Sequence, residues 1–310
     1  MSIYNANGNA VSSAYGITSF TLETAYDVDG NVIFSGSQPE PEPLDYSSYT
    51  TTDLFTYVTD GFNGFDVYDG IIAQVKASNS LYLFGMDGSV IATNLSMTAS
   101  HGDSASFSSE RKYKKDEFPY LYVTSDTTPA YVYVNRITRT GSELIKSLLF
   151  PSDKTGYYSA HAYDETNQIM YMVGYSEQNF TSSDSGNNKT VVSKWDMSQL
   201  TGNGDGTYTP AFISSYERDF IYVMQGQQFF DGYIWIASGY NNGGAQYIYA
   251  MNPSDGVIEH TITLDDTIEI EGLAWVYDST ANKYWMLIGQ QNGSAGINYS
   301  RIDFATLEES

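Results

Sequence analysis

The chain of 310 residues contains no cysteine, only three histidines, and 14 basic residues against 37 acidic ones. The missing cysteine excludes disulfides, thiolate metal sites and cysteine nucleophiles, and leaves cytoplasmic and extracellular settings equally open. The shortage of Lys and Arg gives a formal charge of −23, which repels nucleic-acid phosphates and anionic lipid, so neither is expected as a partner. No apolar run approaches the roughly 18 residues of a membrane span, and no basic-then-apolar leader opens the chain. Membrane insertion and an ordinary secretory leader are therefore not expected, and the protein is expected to be soluble as made. Gly-x-Ser-x-Gly, His-Glu-x-x-His and phosphate-loop motifs are absent as well.

What is present is aromatic. With 41% hydrophobic residues the chain is slightly lean, but 28 Tyr and 15 Phe supply large buried surfaces that tolerate a wet edge. The stretch Gly226 to Gly239 reads as two short strands joined by Asp231-Gly232, a dipeptide suited to the positive backbone angles of a tight hairpin. The same grammar recurs from Asn63 through Gly85, from His101 through Val123, from Ala160 through Gly174, and from Glu271 through Gly289. An irregular period of about 40 to 65 residues suits small sheets set around an axis better than a solenoid. The expected fold is all-β: a five-bladed β-propeller closed by an N-terminal strand and preceded by a short N-terminal arm.

Residues 1–44 differ from the rest and are read as an arm outside the ring. Phe20 to Tyr26 and Val32 to Phe34 look like strands flanking a turn, and Pro39, Pro41 and Pro43 mark an extended linker. Residues 45–310 then form the propeller. Asp53 to Asp60 is a strand without a hairpin partner, and the last repeat ends one strand short near Phe304. Pairing the two removes an unpaired edge, so residues 53–60 are expected to complete the final blade. Arg111, Lys112, Lys114 and Lys115 form the densest basic cluster, read as a solvated loop with a local anion site as the alternative. Asn179 to Asn188 and Gly202 to Gly206 read as long polar insertions in the third blade, and Gly239 to Gly244 as a loop in the fourth.

His101 and His161 fall at equivalent places, where the innermost strand of a blade begins. They, with Asp103 and Glu271, are the candidate catalytic set of a polysaccharide-degrading enzyme, a hydrolase or lyase working at the channel mouth. The alternative reading makes both histidines structural hydrogen-bonding groups. Asp27 to Asn31 has the spacing of a calcium loop, but its glycine comes too early and no Glu stands at the twelfth position, so it reads as a hairpin turn. No cofactor is expected; the acidic loops could gather Ca²⁺, with no site assigned.

The blade openings Asn63-Gly64-Phe65, His101-Gly102-Asp103-Ser104, Gln225-Gly226 and Glu271-Gly272-Leu273 resemble those of bacteriophage receptor-binding five-bladed propellers, and of related teichoic-acid-associated propellers. The resemblance covers roughly residues 53–304. It implies a virion tail protein, made in the host cytoplasm, that serves host attachment. The propeller would act as a carbohydrate-binding head for a host cell-surface saccharide, and residues 1–44 would join other virion or tail subunits, with a homo-oligomer allowed. On this reading the protein is not an enzyme. Tyr175, Trp195, Tyr240, Asn241 and Asn242 are the expected ligand-binding residues, by stacking and hydrogen bonding from loops on one face. A purely structural virion component is a further alternative.

Overall fold

A computed structural model describes residues 41–57, 62–76, 79–98, 104–125, 127–178, 187–239, 245–264, 268–291 and 296–307, together with four short strands nearer the N-terminus. Those four are β1 (Ile3–Tyr4), β2 (Ala10–Val11), β3 (Ala25–Tyr26) and β4 (Val32–Phe34), paired as β1 with β2 and β3 with β4. The long strand β5 (Leu44–Tyr57) follows. The remainder is a series of antiparallel meanders. The first comprises β6 (Phe62–Tyr68), β7 (Ile71–Lys76), β8 (Ser80–Gly85) and β9 (Val90–Ser96). The next is β10 (Ala105–Phe107), β11 (Tyr120–Ser125), β12 (Ala130–Thr138) and β13 (Gly141–Phe150), followed by the single helical turn α1 (Ser152–Thr155). Then come β14 (Tyr157–Asp164), β15 (Ile169–Tyr175), β16 (Thr190–Gly202) and β17 (Thr207–Arg218). After them run β18 (Met224–Phe230), β19 (Tyr233–Ser238), β20 (Gln246–Met251) and β21 (Ile258–Leu264). The last are β22 (Glu269–Asp278), β23 (Lys283–Gln291) and β24 (Ile297–Thr306).

The chain is thus all-β, with sheets of propeller-like construction. The meanders β10–β13 and β14–β17 are continuous with one another, because β13 and β17 pair in parallel at Ser147↔Thr207 and Leu148↔Tyr208. The final sheet has the order β22-β23-β24-β5, so the N-terminal strand does close it: Ile297 stands opposite Tyr57 and Phe304 opposite Tyr49. The sequence placed that strand at 53–60; it begins at Leu44 instead, and residues 58–60 lie outside the described residues.

Turn chemistry sets the register. Asp231 and Gly232 have φ of 50° and 81°, and Asp69 and Gly70 have 50° and 73°, the primed type I geometry that matches strand twist. Other turns use a second device, in which Asp87, Asp205 and Asp278 each accept the backbone N–H two residues on at 2.9 Å. Gly202 to Gly206 proves to be such a turn, tipping the long hairpin β16–β17, and corrects the reading of a long insertion there. The loop expected at Asn179 to Asn188 lies mostly outside the described residues.

Alternating strands bury their apolar residues between meanders. Ala73, Val75, Leu81 and Leu83 face Leu121, Val123 and Ile137, and Val132, Leu148 and Phe150 face Met170, Met172 and Trp195. Tyr171, Val173 and Val192 pack on Ile234 and Ile236, and Trp235, Ile248 and Ile262 on Leu273, Met286 and Phe304. Finally Ala274, Leu287 and Tyr299 pack on Phe65, Ile72 and Phe84 of the first meander. The first strands of the meanders, β6, β10, β14, β18 and β22, meet one another at the centre.

Candidate binding site where the first strands meet

A meander's first strand is hydrogen-bonded on one edge only, so its other edge offers backbone groups that must be satisfied by something else. At the centre, side chains of neighbouring first strands do this. β10 is only three residues long and is gripped on every side. Ser104 Oγ lies 2.7 Å from the carbonyl of His161 and 2.8 Å from that of Gln227. Gln228 Nε2 donates to the Ala105 carbonyl at 2.6 Å. The Phe107 N–H donates to Asp66 Oδ2 at 2.6 Å, and the Ser109 N–H donates to Glu165 Oε1 at 2.5 Å. Gln74 Nε2 donates to the carbonyls of Asn63 and Gly64 at 2.5 and 3.2 Å, and Tyr299 donates to Gln74 Oε1 from the neighbouring sheet. These polar residues hold the first strands at fixed separations where no strand ladder can.

His161 belongs to this network. It is 0% exposed, with Nε2 2.7 Å from Ser106 Oγ and Nδ1 bonded to Thr124 Oγ1. Burial pulls its pKa down to about 3, so it stays neutral across the physiological range. An enclosed, neutral imidazole held by two hydroxyls is a poor proton carrier, and the geometry favours the structural reading over the catalytic one. A prediction follows with a definite sign. The unfolded histidine takes up a proton below about 6.5 and the folded one does not until about 3, so His161 costs stability as pH falls through that window. The unfolding free energy of wild type, from urea titration, should decline on acidification more steeply than that of His161→Gln, by at most about 1.4 kcal/mol per pH unit. Asp66 works in the opposite sense, since its folded pKa is raised from 3.8 to about 7 by burial and its stabilisation is lost as pH rises through that value. The wild-type-minus-variant difference isolates the histidine.

Of the other residues singled out in the sequence, His101, Asp103, Tyr240, Asn241 and Asn242 lie outside the described residues. Glu271 is buried on β22 beside Gly272. Tyr175 and Trp195 are each 1% exposed and stand as corrections: they are core residues rather than loop contacts. Tyr175 donates no stacking face to solvent, because its hydroxyl takes the Met224 N–H at 2.6 Å and its ring packs on Phe220. Trp195 sits against Phe150 and donates Nε1 to Ser193 Oγ at 2.8 Å. Period-2 alternation puts both on inward-facing positions, a signal that outweighs the aromatic character that drew attention to them. The basic cluster is a loop bridged to acidic neighbours: Arg136 to Asp116 at 2.7 Å and Lys112 to Glu143 at 2.6 Å. Among the described residues no group of His, Asp and Glu is arranged to hold a metal ion.

The sequence reading missed the depression at the ends of the first strands. It encloses about 290 Å³ and is lined by Asp66, Val67 and Tyr68 of β6, Phe107, Ser108, Ser109, Glu165, Gln228, Phe229 and Trp275. Tyr68, Phe107, Phe229 and Trp275 are each half-buried. Phe229 stacks on Tyr171 and Phe107 on Phe118, which fixes both rings from behind. Trp275 is clamped on Phe230 with centroids 4.0 Å apart, and its buried indole Nε1 has no hydrogen-bond partner among the described residues. Eight of the ten lining residues fall three to six positions after a blade opening, at or just past the far end of a first strand, but nothing local marks them as a site.

No family model matches the chain, and no curated protein matches it in sequence. Solved structures that it resembles include a glutaminyl cyclase from Myxococcus xanthus, at 10% identity over 85% of this chain and all of the other, with a TM-score of 0.47. An oxidoreductase described as a glucose dehydrogenase, from Thermus thermophilus, aligns at 11% identity over 83% of this chain and all of its own, with a TM-score of 0.48. The WD40 domain of coronin from Toxoplasma gondii aligns at 12% identity over 81% of this chain and 56% of that one, with a TM-score of 0.38.

Proposed function

We propose that the protein is a non-catalytic saccharide-binding propeller of five blades, with its ligand seated in the central depression. The blades of this reading are the meanders β6–β9, β10–β13, β14–β17 and β18–β21 and the sheet of β22–β24 with β5. Cores between successive meanders, and the packing of the last on the first, support that count.

One observation carries the function: four half-buried aromatic rings share a concavity with two carboxylates, a carboxamide and two serine hydroxyls. Ring faces cover the apolar C–H face of a pyranose, and fixed polar groups take its hydroxyls. In the setting suggested by the blade openings, this recognition serves attachment of a phage particle to host surface glycans, and residues 1–44 join the chain to its virion.

The test is a glycan array followed by calorimetric titration of the best hit. Phe229→Ala removes a ring that stacks on Tyr171 of the adjacent meander, and should weaken binding at least about tenfold, the equivalent of ~1.4 kcal/mol. An array without hits, or a hit bound equally by Phe229→Ala, contradicts the proposal. Co-sedimentation of the chain with purified particles tests the virion setting separately.

A further inference from the structure

Asp66 is a buried carboxylate without a counter-ion among the described residues. It is 9% exposed, and among the described residues its oxygens accept only backbone N–H groups, from Val67 at 2.8 Å and Phe107 at 2.6 Å. Glu165, across the same depression, accepts from Ser109 N and Oγ at 2.5 and 2.8 Å. Neither enters an ion pair among the described residues. The contrast is Asp116, whose side chain is 4% exposed and which this base-poor chain pairs with Arg136 at 2.7 Å. Buried charges are ordinarily paired, because the desolvation of an ion is otherwise uncompensated. Burial accordingly raises Asp66 to about 7, the behaviour of a carboxylate short of positive charge.

The rest of the depression agrees. Among the described residues its lining contains no Lys, Arg or His. A guanidinium at the rim, Arg111, lies 5.2 Å over the Tyr68 ring and is tied to the Tyr68 hydroxyl and the Asp116 carbonyl. A rim ring therefore already supports a cation on its face. The faces of Phe229 and Trp275 carry the same negative quadrupole, and the formal charge of −23 draws cations and repels anionic sugars.

We infer that the ligand of the central depression bears an ammonium group, protonated or quaternary, for which Asp66 and Glu165 are the counter-charges and the aromatic rings the walls. This rests on the saccharide reading given above and names the class of saccharide.

The experiment uses the full chain at about pH 8, with four probes titrated calorimetrically: a glucosamine tetramer made permanently cationic by N-trimethylation, its N-acetylated counterpart, a glucose tetramer, and tetramethylammonium alone. The cationic tetramer should bind at least about tenfold more tightly than either neutral tetramer. That preference should shrink several-fold as ionic strength rises through the physiological range. Glu165→Gln, whose carbonyl oxygen can still accept from Ser109, and Asp66→Asn, checked for an unchanged melt, should each erase most of it. Neutral tetramers that bind as tightly as the cationic one overturn the ammonium inference and leave the saccharide reading standing. Binding of tetramethylammonium with no tetramer supports the cation class and overturns the saccharide reading. If no probe binds, the ammonium inference falls and the glycan array decides the saccharide reading.

Discussion

Deleting the N-terminal closing strand, by starting the chain at residue 58, is expected to abolish the cooperative thermal transition. β5 contributes the whole outer edge of the last sheet, paired with β24 from Ile297↔Tyr57 to Thr306↔Leu44. It also crosses to the neighbouring meander. The Tyr46 ring lies 4.9 Å from Trp235 and 5.4 Å from Phe304, and its hydroxyl donates to Asp231 at 2.7 Å. Tyr49 adds a bond from its hydroxyl to the Thr263 carbonyl at 2.9 Å. Removing the strand uncovers Trp235 and Phe304 and leaves β24 as a bare edge, a template for association with other chains. Burying a large ring is worth roughly 3 to 5 kcal/mol, and domains are stable by only about 5–15 kcal/mol, so losing two such packings with a complete ladder removes most of that margin. Calorimetry should show a broad or absent transition and light scattering should show aggregation. A truncated chain melting sharply within a few degrees of the intact one would contradict closure by β5.

The second large effect comes from a single atom group. Gly226 on β18 approaches Gly272 on β22 so closely that a Cβ at Gly226 would lie 2.5 Å from the Gly272 Cα. Both partners are backbone, so no side chain can swing aside. Gly226→Ala must push two first strands apart, disturbing Gln227 and Gln228 and with them the grip on β10. We expect a loss above about 3 kcal/mol, at the upper end for a point change. Gly232→Ala provides the control: its Cβ would meet nothing within 4 Å, although φ of 81° is unfavourable for alanine. That strain costs only about 1–2 kcal/mol. Chemical denaturation of both variants should rank them in that order; equal losses would show that the strand separation at the centre is not tightly set.

The two glycines also show what sequence can and cannot reveal. Gln225-Gly226 and Glu271-Gly272 are visible as blade openings because small residues before an apolar strand are a local pattern. Asp231-Gly232 is visible for the same reason, since turn chemistry depends on the dipeptide alone. Closure by the N-terminal strand is also legible, from a strand without a partner at one end and a missing strand at the other. The site was not. Phe107, Glu165, Phe229 and Trp275 are separated by some 170 residues of chain and become neighbours only through packing of whole sheets. Aromatic residues in a β chain are mostly core, as Tyr175 and Trp195 demonstrate, and nothing local separates a ring that faces a neighbouring sheet from one that faces the centre. The continuity of β13 with β17 was equally hidden, because it depends on two register pairs between strands nearly 60 residues apart.

The chain has four tryptophans, and their indole N–H resonances report where a ligand lands. Trp195 and Trp235 donate to Ser193 Oγ at 2.8 Å and to the Phe230 carbonyl at 3.2 Å, whereas Trp275 lines the depression and its buried Nε1 has no acceptor among the described residues. Titrating the best saccharide from the array into ¹⁵N-labelled protein should move the Trp275 indole signal, together with the backbone amides of Phe107, Ser109 and Phe229, and leave Trp195 and Trp235 in place. Saturable binding that leaves the Trp275 signal unmoved and shifts only residues of the outer turns would contradict a central binding site.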